Sequence, residues 1–236
     1  MTSEESFATV SMPLGIQKMR NIEILSHIQV TNKDSDLFGI AQLLKLRKLG
    51  VALRGKHVKL GDTFFQIKKL HKCLRSLSIR FVGTAGTEEV DALPTLPEFI
   101  ESLNICGITS GLVHSIKDRH QLAKITLSDA YLKQDDLRII GNLDGLRGLR
   151  FQHKSYTGSE LAYKKFEFQT PKLERIVWTF ATMDALSGID WLPRLKKLEL
   201  NGDCDLDPIK EALEGHPNNA ILVNNPHQER QPSEPR

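Results

Sequence analysis

The sequence has few cysteines, few aromatic residues and no long apolar stretch. Its 236 residues include 3 Cys, and aromatic residues make up only 6% of the chain. Cys73, Cys106 and Cys204 are far apart and form no C-x-x-C pair, so we expect free thiols, not a disulfide framework or a zinc site. No stretch is long enough to span a membrane, and residues 1–10 lack the apolar core of a signal peptide. With no Asn-x-Ser/Thr acceptor present either, we expect a cytoplasmic protein with no membrane contact.

Signals of catalysis and of cofactor or metal binding are also missing. Gly50 to Lys56 has the G-x-x-x-x-G-K spacing of a phosphate loop, but His57 follows where Ser or Thr should meet Mg²⁺. The eight histidines show no H-x-x-x-H spacing, and no G-x-S-x-G is present. We therefore expect no enzyme, no cofactor and no metal.

The sequence does contain one apolar motif, L-x-x-L-x-L, that returns about every 24 residues. Its copies are Leu25-x-x-Ile28-x-Val30, Leu46-x-x-Leu49-x-Val51, Leu74-x-x-Leu77-x-Ile79, Ile100-x-x-Leu103-x-Ile105, Leu122-x-x-Ile125-x-Leu127, Leu146-x-x-Leu149-x-Phe151, Leu173-x-x-Ile176-x-Trp178, Leu195-x-x-Leu198-x-Leu200 and a weak Ile221-x-Val223. This period lies within the range of leucine-rich repeats, whose units bury their apolar faces only by stacking.

The motif predicts an α/β solenoid of about nine irregular repeats, with a parallel sheet on the concave face and helical, 3₁₀ or loop segments on the convex face. Alternation along each short strand sends Ile28 and Val30 into the core and Gln29 outward. The same alternation places Ser78, Arg150 and Glu199 on the outward face.

The expected organisation has three parts. Residues 1–15 form a flexible lead, residues 16–223 form the solenoid, and residues 224–236 form a disordered tail without apolar periodicity. Polar insertions lengthen some repeats and are expected to be loops; they are Gly55–Gly61, Thr84–Leu96 and Lys154–Thr170.

Charge is unevenly distributed. Residues 41–80 hold eleven Lys or Arg against Asp62, a local net charge of +10, whereas residues 81–110 have a net charge of −5. The alternation predicts a basic patch on or beside neighbouring strands that docks an acidic protein surface, composed of Arg47, Lys48, Arg54, Arg75 and Arg80.

Two other interpretations of the basic segment stay open, a solvated convex face and a nucleic-acid site. Exposed aromatics for base stacking are few, since Phe64 and Phe65 fit the apolar side of the repeat.

A ligand face is predicted on the later repeats, at Arg150, Phe180 and Glu199. Trp178 occupies a core strand position, while Phe180 falls just past its strand. An exposed aromatic at that point would anchor a partner, although core packing is the alternative.

Four segments resemble a specific family: Met12–Leu25, Thr170–Ile176, Trp191–Leu200 and Ile209–Ala220, the last with a His-Pro-Asn turn. They resemble the leucine-rich-repeat region of plant intracellular nucleotide-binding immune receptors of the coiled-coil type, especially those of grasses. The resemblance covers roughly residues 12–223. The coiled coil and nucleotide-binding domain of such receptors have no counterpart in this chain, which resembles their C-terminal arm alone.

The resemblance implies a non-catalytic module for recognition and autoinhibition in plant defence. Its partners would be the nucleotide-binding domain of the same receptor, contacted by the first repeats, and a pathogen effector or a guarded host protein. A stand-alone cytosolic scaffold that bridges two proteins is the first alternative. Nucleic-acid binding through residues 41–80 is the second.

Overall fold

A computed structural model of the chain describes residues 9–31, 34–54, 60–70, 72–82, 95–107, 112–152, 154–156, 160–162, 170–183 and 185–226. Within these residues the main feature is one long parallel sheet. Its strands, in spatial order, are β1 (Val10–Ser11), β2 (Ile24–Val30), β3 (Lys48–Arg54), β4 (Ser76–Val82), β5 (Ser102–Cys106), β6 (Lys124–Ser128), β7 (Gly148–Gln152), β9 (Arg175–Met183), β11 (Lys197–Cys204) and β12 (Ile221–Asn225). Apart from β1, each strand coincides with one copy of the repeat motif, so the predicted solenoid is confirmed.

Short helices and 3₁₀ turns connect many of the strands on the other side of the core. They are a 3₁₀ turn at Ile16–Lys18, α1 (Asp34–Ala41), α2 (Leu60–Lys68), α3 (Leu112–Ile116), α4 (Gln134–Gly141), a 3₁₀ turn at Ile189–Trp191 and α5 (Asp207–Glu214). Two further strands, β8 (Glu160–Ala162) and β10 (Ala185–Ser187), pair with each other in a separate small sheet.

The core is built from apolar side chains that align across the strands. The first inward position of consecutive strands is at most 1% exposed; it is held by Leu49, Leu77, Leu103, Ile125, Leu149, Ile176 and Leu198. Each such side chain contributes about 1.5–3 kcal/mol of burial free energy, and the neighbouring repeat supplies one wall of its environment.

A repeated backbone contact fixes the start of each strand. The carbonyl of Glu23 accepts hydrogen bonds from the N–H groups of Arg47 and Lys48, at 2.8 and 3.0 Å. The carbonyl of Arg47 then accepts from Arg75 and Ser76 in the same way, and the pattern continues along the sheet. Because two donors share each carbonyl, successive repeats are held in one register.

The ordered solenoid extends past the boundaries expected from the sequence. Val10 and Ser11 pair with β2 although residues 1–15 were expected to be a flexible lead. At the other end, Asn224 and Asn225 belong to β12 and pair with β11. Backbone pairing with an existing strand edge orders these residues, although their segments lack apolar periodicity. Residues 1–8 and 227–236 lie outside the described residues.

The predicted loops are also partly structured. Leu60 and Gly61 already belong to α2, Leu96 is 2% exposed and packs into the core, and Glu160–Ala162 forms β8. Most of the remaining insertion residues, 55–59, 84–94, 157–159 and 163–169, lie outside the described part. Polar composition indicated that these segments lie at the surface. It did not predict the start of α2 or the strand β8 within them.

The two phenylalanines of α2 differ, which corrects the expectation that both face the core. Phe64 is 1% exposed, whereas Phe65 is 57% exposed. Adjacent helical residues point about 100° apart, so both cannot share the narrow buried face of a single helix.

Candidate protein-interaction surface

The outward face of the sheet presents three rows of side chains that run across the strands. The first outward row is Ile24, Lys48, Ser76, Ser102, Lys124, Gly148, Arg175, Lys197 and Ile221. The second outward row is Gly50, Ser78, Asn104, Thr126, Arg150, Val177, Glu199 and Val223. The third outward row is Gln29, Ala52, Arg80, Cys106, Ser128, Gln152, Thr179, Asn201 and Asn225. Such a surface is an extended face suited to macromolecular contact.

The five residues of the predicted basic patch are divided between two ends of the strands. Arg47 and Arg75 precede β3 and β4 and lie beside Lys48, because the Arg75 N–H bonds the Arg47 carbonyl at 2.8 Å. Arg54 is the last residue of β3, six residues after Lys48. This separation corresponds to about 20 Å along a strand. Arg80 lies between these extremes in the third outward row. The patch is therefore a pair of basic edges on either side of a strip of small, mostly neutral side chains, which Arg80 interrupts on β4.

Apart from Arg80, the strip between the two edges is formed by very small side chains. Gly50 and Ala52 face outward on β3, and Ser76 and Ser78 face outward on β4. A ligand that crossed this strip would meet cations at both ends of β3 but little steric obstruction between them.

Arg75 is already engaged by its neighbours. Its Nε lies 3.6 Å from a carboxylate oxygen of Glu101, and its guanidinium lies 5.0 Å from the centre of the Phe99 ring. Glu101 belongs to the acidic segment that follows residue 80, so the charge step of the sequence becomes a direct ion pair across two repeats. Arg47, Lys48 and Arg54 remain exposed.

The predicted ligand face includes a small cluster in the second outward row. Val177 points outward between Arg150 and Glu199, yet it is only 2% exposed. Lys197 donates a hydrogen bond to Glu199 at 2.8 Å. This hydrogen bond lowers the pKa of Glu199 against the opposing effect of burial, and the charges of Lys197 and Arg150 lower the pKa further.

Phe180 is not part of the exposed face. It is 9% exposed and belongs to the core cluster, because β9 continues to Met183 and keeps Phe180 on the inward side. Trp178, predicted to be structural, is 4% exposed, and its ring lies 4.9 Å from that of Phe151 and 5.8 Å from that of Tyr156. The ligand-face residues that remain exposed or half-buried are Arg150 and Glu199.

The end of the third outward row contains a hydrogen-bonded group that the repeat motif did not predict. Asn225 donates to Asn201 at 2.7 Å, and Asn201 donates to Thr179 at 3.2 Å. Further along the same row, Ser128 donates to Gln152 at 3.1 Å. Aligning the repeats by register, instead of by motif alone, would have revealed this stripe of neutral polar side chains.

A second surface missed from the sequence lies on the helices. Phe38 of α1 and Phe65 of α2 are 54% and 57% exposed. The Lys69 ammonium lies 5.8 Å from the centre of the Phe38 ring and 5.3 Å from that of Phe65. This cation–π pair covers part of both rings.

The predicted free cysteines are confirmed, since Cys73, Cys106 and Cys204 are all unpaired and half-buried. Burial is the main cause that raises the pKa of each of these thiols. A thiol that stays protonated is a poor nucleophile and a poor metal ligand. Throughout the described ranges, no group of three or more His, Cys, Asp or Glu is placed to hold a metal ion.

Over the part of the chain that the structure describes, no helix is both long and apolar enough to traverse a bilayer.

Comparison with known proteins agrees with this architecture. A family model described as "Leucine-rich repeat region" matches residues 5–219. Disease resistance protein Pik-2 of Oryza sativa subsp. japonica is 28% identical over 148 residues, which cover 60% of this chain and 14% of that protein. Disease resistance protein PIK6-NP of the same subspecies is 24% identical over 207 residues, covering 77% of this chain and 20% of that protein.

The chain therefore spans about a fifth or less of the length of these relatives. Their names agree with the resemblance to plant resistance receptors that the sequence segments indicated. Because the family model covers most of the chain, in agreement with the stacked parallel strands, the chain belongs to the leucine-rich repeat region family found in plant disease resistance proteins.

Proposed function

We propose that this chain is the non-catalytic recognition and autoinhibitory module of a plant intracellular immune receptor that acts in the cytoplasm. The basic patch of the early repeats holds the nucleotide-binding domain of the same receptor in its inactive state. The outward residues of the later repeats contact a pathogen effector or a host protein that the receptor guards.

The kind of surface supports a binding role. The outward rows form a broad face lined by short polar and charged side chains, and the thiols are held protonated by burial. The relatives carry the name of disease resistance proteins and are about five times longer or more than the matched segment. Further domains of such a protein are therefore available as partners in cis.

The observation that carries the restraint mechanism is the sequence of charges along the strand starts. Glu23, Arg47, Arg75 and Glu101 occupy consecutive positions of the backbone ladder. Arg47 and Arg75 are neighbours of like charge. Arg75 has the carboxylate of Glu101 from the next repeat beside it, whereas among the described residues Arg47 takes part in no salt bridge. An acidic partner surface placed over Arg47 and Lys48 would supply the negative charge opposite these two cations. Its attraction to them would also steer docking.

The test is charge reversal in the complete receptor. Changing Arg47, Arg54, Arg75 and Arg80 together to Glu should release the restraint and give signalling in the absence of a pathogen protein. Reversing the two ends of the patch separately is informative, because Lys48 and Arg54 are about 20 Å apart along β3. We expect the Arg47→Glu, Lys48→Glu pair to release more signalling than the Arg54→Glu, Arg80→Glu pair.

Two exposed cations elsewhere provide the matched control. Lys117 follows α3 and Lys172 precedes β9, and both are exposed. Reversing these two should leave the receptor silent. Unchanged signalling after reversal of all four arginines, with the receptor still accumulating, would contradict the restraint mechanism.

The size of the native protein gives an independent check. An antibody against the tail, Asn224–Arg236, should detect a band far above 26.6 kDa in plant tissue. A band at 26.6 kDa would remove the domain that is to be restrained in cis and would favour a stand-alone scaffold.

A further inference from the structure

Gly148 leaves an open gap in the first outward row. It opens β7 and lies in register with Lys124 on β6 and Arg175 on β9. A Cβ built on Gly148 would have a single neighbour within 4 Å, the Cγ of Lys124 at 3.7 Å. Among the described residues, no side chain therefore fills the gap between Lys124 and Arg175.

Three cations surround this gap. Adjacent strands are about 4.8 Å apart, so the Cα atoms of Lys124 and Arg175 lie at about that distance on either side of Gly148. Arg150 is two residues further along the same face of β7, at about 6.6 Å. Lysine and arginine side chains easily reach over such distances, so three positive groups can meet at one point above Gly148.

The outward rows around these groups contain little negative charge. On the outward rows of β6, β7, β9 and β11 there are four cations, Lys124, Arg150, Arg175 and Lys197, against Glu199 alone, a net charge of +3. Glu199 is paired with Lys197 at 2.8 Å. Among the described residues, neither Lys124 nor Arg175 takes part in a salt bridge.

The geometry points to a carboxylate-binding site at Gly148, formed by Lys124, Arg150 and Arg175, that takes an Asp or Glu side chain from an extended acidic protein segment. This inference specifies the ligand chemistry of the later repeats and rests on the ligand-contact part of the proposed function. Bidentate pairing with the guanidinium groups would orient the carboxylate, and Lys124 would add a third positive charge.

The neighbouring rows favour a polypeptide as the source of that carboxylate. Gln152, Thr179 and Asn201 lie in the third outward row beside the site, where they offer neutral donors and acceptors to a peptide backbone. The outward rows of these four strands contain no aromatic residue on which a nucleic-acid base could stack. An extended peptide advances about 3.3 Å per residue, so about three residues span the distance from Lys124 to Arg175.

The test measures binding of a defined peptide to the full chain. The probe is a fluorescent peptide of about ten residues with Glu at alternate positions and Ser and Thr elsewhere, so that all its carboxylates lie on one face of the extended peptide. We expect it to bind about tenfold or more tightly than the same peptide with Gln in place of Glu. Raising the salt concentration should weaken this binding, since the pairs are exposed.

Filling the gap tests the site without changing any charge. The Gly148→Val variant should fold, because the added Cβ has room and valine is favoured in strands. It should bind the Glu peptide about fivefold or more weakly. Ser102→Val changes the same row on β5 and should bind as the unaltered chain does; thermal unfolding of both variants confirms that they are folded.

Replacing single cations tests how much each positive charge contributes to peptide binding. Lys124→Gln and Arg175→Gln should each weaken binding about two- to fivefold, which is typical for an exposed ion pair. Lys117→Gln, which removes an exposed cation after α3 and away from the outward rows, should have no effect.

Several outcomes would overturn the inference. One is equal binding of the Glu and Gln peptides. Another is that the folded Gly148→Val variant binds the Glu peptide as tightly as the unaltered chain does. A third is that a random single-stranded RNA oligomer binds more tightly than the Glu peptide and that Gly148→Val weakens this RNA binding. Failure here is separable from failure of the restraint mechanism, because the signalling test alters only early-repeat residues. Signalling released by those reversals without peptide binding would overturn this site alone.

Discussion

The Nε2 atom of His216 lies 2.9 Å from the carbonyl oxygen of Leu192, which joins the turn before the last strand to the preceding repeat. The Nδ1 atom of the same ring accepts a hydrogen bond from the backbone N–H of Asn218 at 3.3 Å. This pattern assigns the ring hydrogen to Nε2, with Nδ1 as acceptor. The Asn218 side chain also donates to the Pro193 carbonyl. The His-Pro-Asn turn thus works as a clamp for β12.

Replacing His216 should loosen the end of the solenoid. His216→Ala leaves the buried Leu192 carbonyl and the Asn218 N–H without their partner, which costs about 1–3 kcal/mol. Urea unfolding should show the loss, and the amides of β12 should exchange their hydrogens faster. The exposed His114 is the control, and His114→Ala should change stability by no more than about 0.5 kcal/mol. Equal stability of both variants would contradict the clamp.

The Glu199–Lys197 pair should make stability depend on pH. The folded state lowers the pKa of Glu199 from its ordinary value of 4.5, chiefly through the hydrogen bond from Lys197. Because the unfolded state then binds the proton more readily, the contribution is present above pH 4.5 and disappears as the pH falls through the folded pKa. The contribution is small, about 0.5 kcal/mol for a half-exposed pair.

Glu199→Gln isolates this effect. The difference in unfolding free energy between the unaltered chain and Glu199→Gln should be larger at pH 7 than at pH 3. Glu211 on α5 is exposed, and Glu211→Gln is the control for the loss of one surface carboxylate. A difference for Glu199→Gln that stays constant over this range would show that the pair contributes nothing.

The repeat pattern was sufficient to predict the core of the fold. Strict alternation and the period of about 24 residues placed Leu198 and Leu200 inward, and both are fully buried. These positions follow from local geometry, because side chains alternate along a strand and every repeat contains one such strand.

Features that depend on neighbouring repeats could not be predicted in the same way. The motif ends a strand at its last apolar position, so Phe180 was placed beyond the strand. Pairing with the long β11 extends β9 to Met183 and buries Phe180. The division of the basic patch between two edges was also not predicted from the motif. Lys48 and Arg54 are close in sequence but lie at opposite ends of one strand. The cations around Gly148 are far apart in sequence and meet only through the register of the sheet.

The two tryptophans should differ in their contributions to stability. Trp178 is 4% exposed and packs on Phe151 and Tyr156, so Trp178→Ala should cost about 3–5 kcal/mol through lost burial and an unfilled cavity. Trp191 is 43% exposed, and Trp191→Ala should cost about 1 kcal/mol or less. Urea unfolding of the two variants gives the comparison, and an equal loss would refute the assignment of Trp178 to the core.

Gly202 is required by the backbone of β11. Its φ of +143° is in a region that other residues avoid, and an added Cβ would collide with the Phe180 carbonyl and ring. Gly202→Ala should therefore destabilise the chain by about 2 kcal/mol or more, through strain and displacement of a core aromatic. Gly215 has a φ of −92° and open space around it. Gly215→Ala should be neutral or stabilise the chain by about 0.4–1 kcal/mol. If thermal unfolding ranked the two substitutions in the opposite order, the close approach of β9 and β11 at Gly202 would be wrong, and with it the burial of Phe180.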